Sequence, residues 1–370
     1  MSANNSMVTS SQFLISPFEH EEFAHDTGQH ENLLFIHCRK TGLKAIIAIH
    51  NTTLGPALGG CRYWHYDTSG AALTDALRLS KGMTYKNALA NIPFGGGKAV
   101  ILAQKDQPKT PQMLQAFGAH IGRLSGTYIT AEDVGMSLAD MDEIAKKTNH
   151  ARGTTAAGIG DPSPYTATGV FEGIKAALNH CYGNPTLLNR TISIQGLGLV
   201  GYQLARLLHV AGAKLMVSDI NAIATQKAHQ EFGAKVIPPE QAHSALADVY
   251  APCALGAVIN SSSIGQIQAK IVAGSANNQL ASDEYGQALH QKGIVYAPDY
   301  AINAGGVIAI ATATKQTAKQ EIEARLHSIG HTLSEIFTIA AKQNLPTNEV
   351  ANQLAQERLE NAAKQMDHAA

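Results

Sequence analysis

The sequence predicts a two-domain α/β protein, and three observations carry that reading. Its 370 residues exceed the roughly 250–300 at which a single hydrophobic core stops growing. Short apolar, strand-like runs alternate with segments of helical spacing along most of the chain. Residues 191–195 (TISIQ) read as a strand that leads directly into Gly196-Leu197-Gly198-Leu199-Val200-Gly201, a G-x-G-x-x-G run that opens a helix.

Composition narrows the class further. Hydrophobic residues make up 45% and charged residues 15%, which suits a soluble globular enzyme with large buried faces. The formal net charge is −1 with no basic stripe, which excludes the electrostatic footprint of a nucleic-acid binder. Cys38, Cys61, Cys181 and Cys253 are scattered without C-x-x-C spacing. Neither a zinc site nor a disulfide framework is indicated, and a reducing compartment follows. The N-terminal stretch is polar and lacks the regions of a secretory signal, and no run of about eighteen apolar residues is present to span a membrane. A cytoplasmic location is expected, with no metal site and no membrane or nucleic-acid partner.

In chain order, residues 1–12 read as a loosely attached tail. LLFIHC and LKAIIAIH form a hairpin across the polar turn Arg39-Lys40-Thr41-Gly42. Residues 53–62, TLGPALGGCR, read as a glycine-rich loop, either a floor for a small ligand or an ordinary turn. Helical spacing over 69–90 puts Lys86 near a helix end, and 112–124 form a second amphipathic helix.

Lys81 to Ile101, KGMTYKNALANIPFGGGKAVI, carries the strongest chemical signal of this half. Lys98 follows Gly95-Gly96-Gly97, read as a turn, and leads into the apolar run Ala99 to Leu102, read as a buried strand. Partial desolvation in such a setting is what lets an amine act as a base near neutral pH; a surface lysine beside a turn is the alternative. Glu132 and Asp133 fall in the loop after a short strand at 128–129, where one carboxylate buried near Lys98 would complete an acid/base pair. A helix N-cap or a surface charge is the alternative for Asp133.

Residues 149–164 are rich in small and turn residues and read as a hinge, followed by a helix over 166–177. The first domain is therefore expected over 1–150 and the second over 151–339, with helices at 320–342 and 348–364. The chain from about 340 to 370 is expected to pack back on the first domain. In the second domain the G-x-G-x-x-G run has the setting of a Rossmann βαβ unit: strand before, helix after, and Asp219 eighteen positions beyond Gly201. The glycines would let the backbone close on a pyrophosphate and the helix N-terminus would supply donors. Asp219 would bind the ribose hydroxyls and repel a 2′-phosphate, which favours NAD over NADP. Strand-like runs at 234–237, 248–250, 270–273 and 293–296 complete the sheet, and the loops after the last three should line the nicotinamide end. Cys253 reads as a packing residue, with no histidine or acid partner to make it a nucleophile.

GPALGGCR, KGMTYKNALANIPFGGGKAVI, TAEDVG, GDPSPYTATGV, GLGLVG, APCALGAV, IVAGSANNQL and APDYAINAGGV together resemble the Glu/Leu/Phe/Val dehydrogenases, most nearly their leucine-active members. The resemblance implies oxidative deamination of an L-amino acid to a 2-oxo acid and ammonia with NAD, by a homo-oligomer. It implies that Lys86 pairs with the substrate carboxylate, that Lys98 works uncharged to help water attack an imine, and that Asp133 shuttles protons with the amine. Asn277 and Thr166 would hold the nicotinamide and reacting centre. Leu58, Gly59, Gly60, Met83, Ala131, Val307 and Ile310 would line an aliphatic pocket without a cation for a side-chain carboxylate. Cofactor contacts would come from Gly196, Leu197, Gly198, Leu199, Val200 and Gly201, then Asp219 and Ile220, and from Cys253 and Ala254. Cys61 and the phrase LSKGMTYK also suit a phenylalanine-type member, so an aromatic substrate is the alternative. Ala309 stands where asparagine is common in the family, a departure within the expected pocket.

Overall fold

The computed structural model describes residues 30–104, 108–313 and 319–369; the expected tail at 1–12 lies outside them. The chain builds two sheets. The first has β1 (Asn32–Cys38), β2 (Leu43–Asn51), β3 (Ala57–Trp64), β4 (Gly95–Leu102) and β5 (Tyr128–Glu132), in the order β1-β2-β4-β3-β5. β1 and β2 form the expected antiparallel hairpin, while β3 runs parallel to both β4 and β5. β4 is therefore the central strand, buried along nearly its whole length.

Alternation along these strands sorts the two faces. Ile46, Ala48 and Val100 pack under α1 (Ser69–Leu89) with Ala72, Ala76 and Leu77. Ala45, Ile47, Ile49, Ala99 and Ile101 face the other way, toward α2 (Pro111–Arg123) and α3 (Leu138–Ala145), with Phe117 and Met141. Lys98 shares its parity with Val100, so it belongs to the α1 face. The helix starts are capped by Thr68, Thr110 and Ser137, each accepting a backbone N–H.

The second sheet is all parallel: β6 (Thr191–Gln195), β7 (Lys214–Ser218), β8 (Lys235–Val236), β9 (Val249–Pro252), β10 (Ile271–Val272) and β11 (Val295–Tyr296). Its order, β11-β10-β9-β6-β7-β8, reverses between β6 and β9, the doubly wound arrangement whose ligands sit at that switch point. Around it lie α4 (Ser163–Tyr182), α5 (Leu199–Val210), α6 (Ala222–Phe232), α7 (Glu284–Gln291), α8 (Asp299–Ile302) and α9 (Gly305–Thr312). This is the Rossmann-type unit expected from the glycine motif.

Two long helices close the chain, α10 (Lys319–Gln343) and α11 (Thr347–Ala369). α10 runs beside α4, and α11 reaches α1. Arg358 on α11 donates through Nη1 to the carbonyls of Ala88 and Leu89, both at 3.0 Å, and Thr332 on α10 donates to Leu89 at 3.2 Å. These carbonyls end α1, where helix carbonyls run out of intrahelical donors, and Ala88 O also accepts from Asn91 N at 3.1 Å. Among the described residues no helix is long and apolar enough to cross a membrane, and no group of three or more histidine, cysteine or acidic side chains could hold a metal ion.

Arg358→Ala should remove charge-assisted bonds from the end of the helix that carries Lys86. A loss of about 1–3 kcal/mol is expected, read as a lower thermal unfolding midpoint.

Candidate active site

The glycines before Lys98 make no turn. Gly95, Gly96 and Gly97 are the first residues of β4, and they are needed because neighbouring strands and α1 press on them from both sides. A Cβ on Gly59 of β3 would stand 1.7 Å from the Gly97 carbonyl oxygen, and one on Gly96 would stand 2.1 Å from the Thr84 nitrogen of α1. The expected loop at 53–62 is in large part strand β3 for the same reason: its low-propensity glycines fit a space where side chains do not. α1 is thus drawn close over the mouth of the sheet. Asn87 fastens it there, donating from Nδ2 to Leu58 O at 3.2 Å and to Gly95 O at 2.6 Å.

Lys98 is 4% exposed, and its ammonium meets Asp133 Oδ1 at 3.1 Å. Of the two carboxylates at 132–133, Asp133 is the one that pairs with the lysine. Arg62 donates from Nε to its other oxygen at 2.9 Å. Burial pushes the Asp133 carboxyl up, but Lys98 and Arg62 outweigh it and hold it below its ordinary range. The loop is pinned around it. Met136 N donates to Asp133 O at 3.0 Å, Tyr63 N to Val134 O at 2.9 Å and Lys109 Nζ to Gly135 O at 2.7 Å. Glu132 lines the same cavity, and burial, with Asp161 next, raises its carboxyl.

Lys86 faces the cavity from α1, one turn from Met83. Burial pushes its ammonium down to about 8; Asp299 opposes the shift and Lys98 adds to it. Asp299, at the start of α8, is buried beside the Asn278 backbone N–H and the Tyr296 hydroxyl.

The cavity is about 330 Å³ and lies between the two sheets. Lys86, Lys98, Asp133, Gly59 and Gly60 form one part of its wall; Leu58, Met83, Ala131, Val307 and Ile310 supply the apolar surface; Thr166, Val200 and Asn277 come from the second unit. Every substrate-side residue expected from the sequence lines this one space. Ala309 does not: it packs in the core on the inner side of α9, so its departure from the family pattern falls outside the pocket.

Sequence reasoning missed Asn303, Ser275, Pro162 and Gly306, which also line it. Asn303 donates from Nδ2 to Asn277 Oδ1 at 2.7 Å and to Ser275 O at 3.1 Å, while its own Oδ1 is buried without a partner among the described residues. An acceptor in that state suits a ligand N–H. Its sequence signal was an asparagine directly before the Ala-Gly-Gly that opens a helix.

The glycine motif sits apart from the cavity and opens onto it through Val200. Gly196 has φ +101° and lies against Ala254, which a Cβ would meet at 2.7 Å; a Cβ on Gly201 would stand 2.0 Å from the Gly196 carbonyl oxygen. At Gly198 a Cβ would meet nothing within 4 Å, and this N-cap of α5 has no side-chain hydrogen bond. Two glycines pack the turn while the middle one leaves room beside uncapped helix N–H groups, which fits a dinucleotide diphosphate. Asp219 accepts from Leu197 N at 2.6 Å and from Asn221 N at 2.7 Å, with lone pairs left for a ribose hydroxyl. Ile220 is 96% exposed beside it. Leu199 is exposed at the helix start. Cys253 packs close to Gly201, and burial pushes its thiol up, as suits packing rather than attack.

Residues 30–150 match a family model described as Glu/Leu/Phe/Val dehydrogenase, dimerisation domain, and residues 217–366 match Glutamate/Leucine/Phenylalanine/Valine dehydrogenase. The chain is 46% identical over 341 residues to leucine dehydrogenase of Geobacillus stearothermophilus, covering 92% of this chain and 93% of that one. It is 42% identical over 343 residues to phenylalanine dehydrogenase of Caldalkalibacillus thermarum, covering 91% and 93%. The crystal structure of L-tryptophan dehydrogenase from Nostoc punctiforme superposes with a TM-score of 0.82 at 43% identity, covering 91% and 97%.

The Lys86 charge in this cavity is lost as pH rises through about 8, so a carboxylate placed beside it would lose its counter-charge there. Calorimetric titration of a branched aliphatic carboxylate should show affinity falling above that pH. Lys86→Gln should bind weakly with a flat pH profile.

Proposed function

The chain belongs to the Glu/Leu/Phe/Val dehydrogenase family and is an amino acid dehydrogenase, and we propose that it deaminates branched aliphatic L-amino acids, leucine foremost, with NAD. The reading is carried by one observation: the Lys98–Asp133 contact and Lys86 share a cavity with Leu58, Ala131, Val307 and Ile310. A carboxylate, an amine and an aliphatic chain each have a matching wall, and among the described residues that line the cavity Lys86 and Lys98 are the only cations.

Lys86 holds the substrate carboxylate, which aims the α-amine at Asp133. Asp133 takes a proton from that amine. A nicotinamide held beside Asn277 and Thr166 would supply the acceptor for the Cα hydride, and the Lys86 and Asp133 contacts hold Cα in place for that transfer to give an iminium. Lys98, uncharged at this point, takes a proton from water as its oxygen bonds to the imine carbon. Asp133 then returns a proton to the nitrogen, and as the C–N bond breaks the carbinol hydroxyl gives its proton to Asp133, so that ammonia leaves with the 2-oxo acid behind and both side chains discharge their protons to solvent. Asn277, held by Asn303, and Thr166 position the nicotinamide side, and Asp219 selects NAD by repelling a 2′-phosphate. A homo-oligomer belongs to the same reading: the matched N-terminal model is described as a dimerisation domain, and edge strand β1 carries the exposed Phe35.

An aromatic substrate is the second reading, supported by the likeness to the tryptophan and phenylalanine enzymes and by small wall residues such as Ala131 and Gly306. Comparing kcat/KM for leucine, valine, isoleucine, phenylalanine, tryptophan and glutamate separates the two. The aliphatic set is expected to lead, and an aromatic lead would replace the first reading with the second. Lys98→Ala should lose at least about 100-fold in kcat while NAD still binds. Asp219→Ser should weaken the preference for NAD over NADP in the same assay.

A further inference from the structure

Arg62 takes no part in the chemistry above, yet it is the second cation on Asp133. Its Nε donates to Oδ2 at 2.9 Å, the oxygen opposite the one that meets Lys98. Its Nη1 donates to Asp75 Oδ2 at 2.8 Å, and the Tyr66 hydroxyl donates to that same oxygen at 2.5 Å. Arg62 stands on β3, Asp75 on α1 and Asp133 just after β5. One guanidinium therefore ties the helix of Lys86 to the loop of Asp133.

We propose that Arg62 is a positioning residue, a permanent counter-charge that keeps Asp133 aimed and ready to take the amine's proton when Lys98 is neutral. The proposal rests on the roles given above to Lys98 and Asp133. A lysine that serves as a base spends part of each cycle neutral. In that interval a carboxylate paired only with the lysine would lose its cation and take up a proton. A second lysine there could titrate as well, whereas a guanidinium stays charged. Burial works against the Arg62 charge, but Asp133 and Asp75 outweigh it and raise it above its ordinary range. Two edges of the planar fork are engaged, so the group fixes direction as well as charge.

The other titratable groups around Asp133 do not compete for this part. They are Cys61 from β3, Tyr128 and Glu132 from β5, and Lys86 from α1. Burial pushes Cys61 and Tyr128 up, so both stay neutral. Only Lys98 and Arg62 form ion pairs with Asp133 among the described residues. No proton passes through Arg62, which keeps all its N–H donors throughout.

The test is the pH profile of kcat and kcat/KM for the full chain, with Arg62→Gln and Arg62→Lys beside Lys98→Ala. The chemistry needs Asp133 ionised and Lys98 uncharged at the start, so activity is lost as pH falls, and the Arg62 charge helps to hold the Asp133 carboxyl low. Without the Arg62 charge that acid limb should move up by about one to two pH units. In Arg62→Gln kcat should also fall about 10–100-fold, with KM for the amino acid changed less than about threefold. Arg62→Lys keeps charge and loses the fork, so its limb should stay near wild type while kcat still falls about tenfold. An unmoved limb in folded Arg62→Gln overturns the proposal, whatever its rate. If Arg62→Gln does not fold, Arg62→Lys decides, and wild-type kcat in that variant overturns it. Near-normal turnover in Lys98→Ala would instead remove the underlying assignment of base and acid.

Discussion

An ammonium inside a sheet has to be matched, and that requirement organises the cleft. Lys98 sits on the central strand with almost no solvent contact, and Asp133 meets it at 3.1 Å. Removing one member of a buried pair leaves an uncompensated charge, at a cost of about 3–5 kcal/mol. The loop bearing Asp133 is accordingly held by hydrogen bonds from Met136, Tyr63 and Lys109 as well as by Arg62. The close approach of β3 and β4 through Gly59 and Gly97 brings these strands near enough for the arrangement to exist. Packing and chemistry here depend on the same few atoms.

The second unit brings its glycine turn toward this pair. The switch point between β6 and β9 aims the glycine turn and the loop after β9 at the cleft, and Val200 carries the turn to the cavity edge. The reaction end is built from charged groups, whereas the far wall is built from Leu58, Ala131, Val307 and Ile310. Apolar walls of this kind separate substrates differing by a methylene by only about 1–3 kcal/mol. Relatives of similar identity bear the names of leucine, phenylalanine and tryptophan dehydrogenases.

Much of this was legible in the chain. The Rossmann turn announced itself because its determinants are local: a strand, three glycines, a helix and Asp219 within one short span. Lys98 and Asp133 were legible as residue types at the ends of apolar runs. The geometry around them was less so. Gly95 to Gly97 read as a turn because glycine weakens a strand on its own, and only the neighbours that fill the missing Cβ positions make strand the answer. Arg62 and Asp133 are 71 residues apart, and nothing local in either segment names the other. Asn303 and Asp299 were hidden likewise, their meaning set by Asn277, Asn278 and Lys86 arriving from elsewhere in the fold.

The proposed chemistry requires Lys98 and Asp133 to act as one unit. A double-mutant cycle on kcat/KM for the best amino acid substrate addresses it directly, using Lys98→Ala, Asp133→Ala and the double variant. Groups that work together give strongly non-additive losses. The double variant is expected to be scarcely slower than the worse single one. Losses that multiply across the two sites would mean that they act independently, and would contradict that chemistry.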